Sequence, residues 1–261
     1  PLFTQDIYSY LANGSIVAQG MDPYSAGPVQ LLGAGNKLAR SVPFIWANSP
    51  SPYGPVALGL AAVVSAVTSN SILLGVITHR LLSIAGIIVA GWAISCLARR
   101  CRVSPESALW LGILNPLTIL HLVGGIHNES IMLGLLLVGM ELGLRGVDKL
   151  DASRRSAYLA LVASGFCLSC AGMVKVTGFI GLGFVGMAYA RRLINAHGTA
   201  RWKALAYAIA LQIIVLVATV ALISVCTGIS LGWITGQGGA ASIRSWLSTS
   251  TAVGVGTGFI G

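Results

Sequence analysis

Charged residues are scarce in this sequence of 261 residues, and that scarcity limits what kind of protein it can be. Only 9% of the residues are charged and 55% are hydrophobic. A soluble domain carries about 25% charged residues, because its surface faces water on every side. The mean hydropathy is +0.83. These values exclude a soluble enzyme and a disordered regulator, and they indicate a chain surrounded mostly by lipid.

Cysteine is also scarce, and its placement excludes a secreted domain held together by disulfides. Of the five cysteines, Cys167, Cys170 and Cys226 lie inside apolar runs, and no metal-ligand spacing is present. Cys167 and Cys170 have the spacing of a redox motif, but their apolar surroundings favour two small buried packing residues. The sequence likewise lacks a GxGxxG motif, a P-loop, an HExxH motif and a Ser-His-Asp arrangement.

Acidic residues are fewer than basic ones, 7 against 16, which gives a net charge of +9. The basic residues lie in short clusters between apolar runs, which is typical of loops that orient a membrane protein and argues against nucleic-acid binding. Clusters at 99–102, 145–155 and 191–203 hold 11 of the 16 basic residues, and pairs of predicted crossings separate them. The positive-inside rule therefore predicts that all three face the cytoplasm.

Long apolar runs are what the sequence has in abundance, and they predict an all-α, polytopic membrane fold. A helix needs about 20 residues to cross the hydrocarbon of a bilayer. We predict about six spanning or re-entrant segments, at 71–98, 104–123, 130–146, 157–173, 175–190 and 204–226.

The run at 55–68 is too short to span and predicts an interfacial or re-entrant helix. A tight hairpin over 55–98, tipped by His79 and Arg80, is an alternative that would place the N-terminal region inside. We favour a single crossing, because the polar residues at 68–70 break the first run.

Three regions follow from this pattern. Residues 1–54 contain four of the seven tyrosines and no spanning segment, and are predicted to form an extracytoplasmic loop. Residues 55–227 form the helix bundle, and residues 228–261 begin another extracytoplasmic loop. The start at Pro1 without a methionine predicts an internal piece of a longer membrane protein that lacks an upstream helix and a C-terminal part.

Ionisable residues at membrane depth usually mark a functional site, and six are predicted to meet on the outer side. They are Asp6, Asp22, Arg80, His127, Glu129 and Lys175. Two cations beneath an acidic, tyrosine-rich loop could bind the phosphate of a lipid-linked substrate. The polar group attached to that phosphate would then react just above it, next to the acidic residues. Each cation alone is also explained by snorkelling to the headgroups, and the tyrosines by an interfacial aromatic belt. Glu141 is predicted to be structural, and His121 to be a core histidine.

An ordered set of short motifs then resembles one family. The motifs are D-I-Y-S-Y (6–10), G-M-D-P-Y (20–24), S-P-Y-G-P (51–55), H-R (79–80), L-N-P (114–116), G-G-x-H-N-E (124–129) and K-V-T-G (175–178). They resemble the polyprenol-phosphate-mannose-dependent α-1,6-mannosyltransferases of the MptA/MptB type. These are multi-pass enzymes of the GT-C superfamily that build lipomannan and lipoarabinomannan in the plasma membrane.

This resemblance implies a GT-C-type helix bundle with its active site on the extracytoplasmic side. It implies Asp6 as the catalytic aspartate and Arg80 and Lys175 as ligands of the donor phosphate. Substrate contacts are expected from the polar residues around them, which are Tyr8, Asp22, Tyr24, His127, Asn128 and Glu129. The implied substrates are polyprenyl-phosphate mannose and a mannan or lipid-linked mannoside, with the bilayer as surroundings and no nucleic acid.

The chemistry of such a transfer agrees with the residues. An α-1,6 product from a β-linked donor requires inversion, and inversion needs one carboxylate as general base opposite a stabilised leaving group. Cations stabilise a leaving phosphate without a metal. The sequence therefore predicts no metal site and no cofactor, although a divalent cation is compatible with the reaction. Alternatives are another GT-C glycosyltransferase that uses a lipid-linked sugar, and a transporter or flippase of a polar or lipid-linked substrate.

Overall fold

The structure, a computed structural model, describes residues 4–235, and every regular element in that range is helical. The longer elements are α1 Asp6–Ala18, α5 Pro55–Val67, α6 Ile72–Arg100, α9 Glu129–Asp148, α10 Arg154–Val174, α11 Ile180–His197 and α12 Arg201–Thr227. The shorter ones are α2 Pro28–Leu32, α3 Lys37–Ser41, α4 Phe44–Ala47, α7 Pro105–Gly112, α8 Pro116–Thr118 and α13 Gly232–Thr235. A π-helical turn at Ile119–Gly124 continues α8, and a 3-10 turn at Val176–Phe179 precedes α11.

Four of these helices, α6, α9, α10 and α12, are long and apolar enough to cross a membrane. The expectation of an all-α polytopic bundle is therefore confirmed. A fifth crossing results if α7 and the segment Pro116–Gly124 count as one span, bent by 49°. The bend follows from Pro116, which lacks an N–H group and disfavours a helical residue before it. Asn115 caps the new helix by accepting a hydrogen bond from the Thr118 N–H group at 2.9 Å.

The segment expected at 175–190 begins later than the sequence indicates. The 3-10 turn occupies its first residues, and α11 then runs from Ile180 to His197. This helix of 18 residues is not among the four that meet the length and hydropathy of a span.

The region expected to be a loop contains helices α1 to α4 within its described residues. Helix α1 packs closely along α5, where a side chain at Gly14 would collide with the Ala61 carbonyl group. Polar residues of α1, including Ser9, Asn13 and Ser15, are buried as well. Because polar residues interrupt its apolar pattern, the sequence alone did not indicate that α1 is a helix.

Ion pairs mark the two ends of the bundle. At one end, Arg100 of α6 binds Glu141 of α9 at 2.6 Å and also pairs with Asp148. At the opposite end, where α9 begins and α10 ends, Lys175 pairs with Glu129. The basic clusters that end α6 and α9 thus lie together. Most of the predicted loop at 228–261 lies outside the described residues.

Candidate active site

Four ionisable side chains from four separate segments meet at the end of the bundle where α9 begins. Asp6 is the first residue of α1, Glu129 is the first residue of α9, and Lys175 directly follows α10. His127 comes from the short connection before α9. We call Asp6, His127, Glu129 and Lys175 the carboxylate cluster. Carboxylates at the start of a helix are favoured by the partial positive charge of its free N–H groups.

The His127 imidazole lies between the two carboxylates of this cluster. Its Nδ1 atom is 3.7 Å from Asp6 Oδ2 and 3.9 Å from Glu129 Oε2. Both distances exceed that of a hydrogen bond, so the three groups are in electrostatic contact without being locked together. The Lys175 ammonium group donates to the other Glu129 oxygen, Oε1.

The three predicted acids have different surroundings, and these distinguish their chemistry. The Asp6 side chain is 34% exposed, and no described residue donates a hydrogen bond to its carboxylate. The charge of Glu129 is already balanced by Lys175. Asp22 accepts hydrogen bonds from the Tyr24 N–H group at 3.0 Å and the Ser230 hydroxyl at 3.4 Å, so it organises a turn. Asp6 is therefore the acid best placed to accept a proton from a substrate.

Tyrosines form one wall beside the cluster. The Tyr10 and Tyr53 rings meet edge to face with centroids 5.2 Å apart, and the Tyr53 hydroxyl donates to the Tyr10 hydroxyl at 3.4 Å. The Tyr24 hydroxyl donates to the Tyr53 carbonyl group at 2.9 Å. Burial raises the pKa of Tyr53 to about 12 and raises the pKa of Tyr10 as well, so both remain protonated donors.

Two further residues with predicted substrate contacts have structural partners. Tyr8 is half-buried and packs against the apolar clusters around Leu11 and Ile7. Asn128 is buried and occupies the cap position of α9, where its carbonyl group accepts from the N–H groups of the first turn. Neither contact brings the side chain to the Asp6 carboxylate.

Arg80, the second predicted ligand of the donor phosphate, also lies outside the carboxylate cluster. It is half-buried on α6 and forms no ion pair with a described carboxylate. Its Nε atom is buried and has no hydrogen-bond partner among the described residues. The preceding residue, His79, lies with its ring centroid 6.2 Å from that of Tyr10, which places this part of α6 beside the tyrosine wall. Arg80 thus retains an unused donor.

His121 belongs to the site, and the expectation of a core histidine was wrong. It is exposed, and its ring stacks on His127 with centroids 4.2 Å apart and an interplanar angle of 24°. The π-helical turn Ile119–Gly124 carries His121, and this rare geometry leaves no periodic signal in a sequence. The spacing of two histidines around a polar Gly-Gly segment was the only available clue.

Backbone strain accompanies the segment that presents His127. Ile126 has a φ of +59°, a left-handed conformation that is unusual for a β-branched residue. Its side chain is 1% exposed and packs against Ile7 and Tyr10. Strain of this kind persists where the surrounding packing overdetermines it, and it clusters at functional sites. The apolar anchor therefore holds the imidazole in place against α1.

Burial lowers the pKa of His127, and the negative charges of Glu129 and Asp6 oppose that effect only in part. The imidazole is consequently neutral near pH 7. Within residues 4–235, no group of three or more histidine, cysteine or acidic side chains has the geometry to hold a metal ion. The cluster therefore offers an accessible carboxylate, a neutral imidazole and a cation that is paired with a second carboxylate.

Comparisons with known proteins identify relatives of this chain. Residues 1–191 match a family model described as alpha-(1->6)-mannopyranosyltransferase, N-terminal domain. The chain is 63% identical over its full length to alpha-(1->6)-mannopyranosyltransferase B of Corynebacterium glutamicum, of which it covers 43%. It is 34% identical over 96% of its length to alpha-(1->6)-mannopyranosyltransferase A of Mycobacterium tuberculosis, of which it covers 46%. The chain therefore spans less than half the length of these two relatives. No solved structure shows a significant match.

Proposed function

The chain belongs to the MptA/MptB family of alpha-(1->6)-mannopyranosyltransferases, and we propose that the protein containing it transfers mannose from polyprenyl-phosphate mannose to a growing α-1,6-mannan. The reaction takes place on the extracytoplasmic face of the plasma membrane and inverts the anomeric centre. The observation that carries this proposal is the Asp6 carboxylate, which is 34% exposed, lies beside His127 and accepts no hydrogen bond from a residue within 4–235.

Asp6 acts as the general base in this mechanism. Its carboxylate takes the proton from the 6-hydroxyl group of the acceptor as that oxygen attacks the anomeric carbon of the donor. The bond between this carbon and the phosphate oxygen breaks, and its electron pair remains on the polyprenyl phosphate. Glu129 is less suited to this role because the Lys175 ammonium group stabilises its charged form and occupies one of its oxygens.

Lys175 and Arg80 stabilise the leaving phosphate. Preorganised cations lower the barrier when they face a group on which negative charge develops. Lys175 is exposed, and its ammonium group exchanges part of its contact with Glu129 for the phosphate. Arg80 contributes its unused Nε–H donor from α6.

Substrate hydroxyl groups contact the polar wall around the base. The His127 imidazole is neutral and offers one donor and one acceptor nitrogen. The hydroxyl groups of Tyr10 and Tyr53 are hydrogen-bonded to each other and lie close enough to Glu129 and Asp6 to feel their negative charges. Asp22 and Tyr24 shape the outer turn, where Asp22 serves to hold the backbone.

The test compares Asp6→Asn with Asp22→Asn in the full-length protein. Asparagine keeps the size of aspartate but does not accept the proton, and loss of a general base costs about a hundredfold to ten-thousandfold in turnover. We expect Asp6→Asn to bind polyprenyl-phosphate mannose normally and to lose transfer to a short α-mannoside by that factor. Asp22→Asn should retain measurable transfer, because its carboxylate only organises a turn.

Two outcomes would contradict this assignment. Near-normal transfer by Asp6→Asn together with an inactive Asp22→Asn would move the base to Asp22. Movement of mannolipid across vesicle membranes without any transfer to the acceptor would show a transporter instead of a glycosyltransferase.

A further inference from the structure

A cavity lies between α10, α11 and α12, at the end of the bundle opposite the carboxylate cluster. Its volume is about 500 Å³. Arg154, where α10 begins, lines it, whereas Lys175 of the cluster follows the last residue of the same helix. A helix of 21 residues is about 30 Å long, so the two sites are separated by the thickness of the bundle.

One wall of this cavity is cationic and rich in hydroxyl groups. The Arg154 residue is exposed, and its guanidinium group forms neither an ion pair nor a hydrogen bond with any described residue. The hydroxyl oxygens of Tyr158 and Tyr189 lie 3.2 Å apart, and the Tyr207 side chain completes this wall. His197 also lines the cavity. This wall thus offers a free guanidinium group next to several hydroxyl donors.

The negative charge near the cavity is already neutralised. Asp151, the acid next to the mouth, pairs with Arg192 and lies 3.1 Å from the His197 Nε2 atom. Further basic residues, Arg155, Arg191, Arg201 and Lys203, surround the same end of the bundle. The mouth of the cavity therefore carries a positive charge that an anion would balance.

Another part of the lining is apolar and reaches the outside of the bundle. Leu193, Leu211 and Ile214 form this wall, and Ile214 is 66% exposed on α12. Trp202 near the start of α12 is 69% exposed, with the Lys203 ammonium group 5.4 Å from its ring centroid. Exposed tryptophans beside basic residues are typical of the headgroup level of a bilayer. Ile214 is 12 residues further along, or about 18 Å deeper.

We propose that this cavity binds one anionic phospholipid from the membrane leaflet at the basic end of the bundle. The phosphate lies against Arg154 and the tyrosine hydroxyls, and an acyl chain follows Leu211 and Ile214 toward the hydrocarbon. Basic pockets between membrane helices are suited to anionic headgroups. A free phosphate ion would contact only the cationic wall. Because the lining has both a cationic and an apolar part, it fits a lipid, which carries both a phosphate and acyl chains. The inference is independent of the proposed transferase activity.

The test measures lipid retention by the full-length protein in native mass spectrometry, with phosphatidylglycerol and phosphatidylcholine as probes. We expect the wild type to retain one phosphatidylglycerol molecule in preference to phosphatidylcholine. Arg154→Gln should weaken phosphatidylglycerol binding about fivefold, the effect of one basic residue at an anionic lipid surface. The matched control is Arg155→Gln, because this neighbouring arginine is exposed but does not line the cavity.

A second variant separates the cavity from surface charge. Ile214→Trp adds bulk to the apolar wall without changing any charge, and it should also reduce retention of phosphatidylglycerol. Equal losses in Arg154→Gln and Arg155→Gln would overturn the proposal, as would unchanged retention in both Arg154→Gln and Ile214→Trp. Full displacement of the lipid by millimolar inorganic phosphate would show that the ligand is a free anion, which also overturns it.

Discussion

In the proposed mechanism, Lys175 and Arg80 differ in which contacts each side chain must give up to bind the donor phosphate. Lys175 already contacts Glu129, whereas the Arg80 Nε atom has no partner among the described residues. Lys175→Ala should therefore remove a phosphate ligand and also leave the Glu129 charge facing the donor. A charged hydrogen bond contributes about 1.5–3 kcal/mol, so we expect a loss of about tenfold to a hundredfold in kcat/KM for polyprenyl-phosphate mannose.

Arg80 is tested by a pair of substitutions. Arg80→Gln should lower transfer, and Arg80→Lys should restore only part of it if the guanidinium group makes a forked contact. Lys203→Ala is the control, because this cation lies over Trp202 at the other end of the bundle. Unchanged kinetics in the Lys175 and Arg80 variants would mean that both side chains only reach for lipid headgroups.

His127 gives the site a pH dependence of stability that can be measured. Because burial lowers the pKa of His127 in the folded protein, the unfolded chain takes up the proton first as the pH falls. Its contribution to stability is therefore present above the ordinary value of about 6.5 and is lost as the pH falls from there toward the lower folded pKa. We expect the melting temperature of the wild type to drop between pH 7 and pH 5 more steeply than that of His127→Gln.

The control for this pH series is His197→Gln, since His197 lies at the opposite end next to Asp151. This variant should keep the steep fall that the wild type shows. If the melting temperatures of the wild type and His127→Gln fall equally over the same pH range, His127 is not the source of the pH dependence.

The composition of the site was partly predictable at the level of single residues. Charged residues beside apolar runs are costly unless they face a polar site, so Asp6, Glu129 and Lys175 could be grouped from the predicted spans. The sequence does not reveal that Lys175 is paired with Glu129, because this contact depends on how α9 and α10 pack. His121 was missed for a similar reason, since only the π-helical turn brings it onto His127.

Among the elements, the crossing of α6 and α9 positions the start of α9 and with it Glu129. A side chain at Gly86 would lie 2.6 Å from the Ser130 carbonyl oxygen, and one at Gly134 would lie 2.8 Å from the Gly86 carbonyl oxygen. Small residues of this kind allow two membrane helices to approach closely. At the other end, the buried Glu141 binds both Arg100 and Arg145, which agrees with its expected structural role.

Gly86→Ala tests this helix crossing. The added methyl group meets backbone, which cannot move aside as a side chain would, so we expect a cost of about 1–3 kcal/mol from overpacking. The measurement is the melting temperature in detergent, followed by mannosyl transfer. Gly183→Ala on α11 is the matched control, because nothing lies within 4 Å of its added carbon. If both variants melt at the same temperature, α6 and α9 do not pack as closely at Gly86 as the structure shows.

The helices themselves were largely predictable, and their ends were not. The runs expected at 71–98, 130–146, 157–173 and 204–226 correspond to α6, α9, α10 and α12. Helices α9, α10 and α12 extend one to three residues beyond the expected run at each end, whereas α6 begins one residue later and ends two residues later. These extensions consist mainly of charged or polar residues, which continue a helix without adding to an apolar run. Pro116 divides the run at 104–123. The sequence did not indicate α1, because its buried residues include the polar side chains Ser9, Asn13 and Ser15 among apolar ones.

The whole molecule has two chemically different ends. One end holds most of the basic residues and two of the ion pairs, Arg100 with Asp148 and Arg192 with Asp151. The carboxylate cluster occupies the other end, about the length of α9 away. This separation agrees with the alternation of basic clusters and apolar runs in the sequence. It also leaves the phosphate chemistry of the proposed transfer remote from the proposed lipid cavity.

Orientation in the membrane is the last prediction, and the proposed extracytoplasmic transfer depends on it. The positive-inside rule places the basic end in the cytoplasm, so Cys101, which directly follows Arg100, should face the cytoplasm and Asp22 the outside. Both positions are exposed in the folded protein.

In a background without the other four cysteines, an impermeant maleimide should label Cys101 only after the membrane is permeabilised. With Cys101 also replaced, Asp22→Cys should be labelled in intact cells. Labelling of position 22 from the cytoplasm alone would reverse the bundle. It would then put the carboxylate cluster on the cytoplasmic side, where an extracytoplasmic mannan could not reach Asp6.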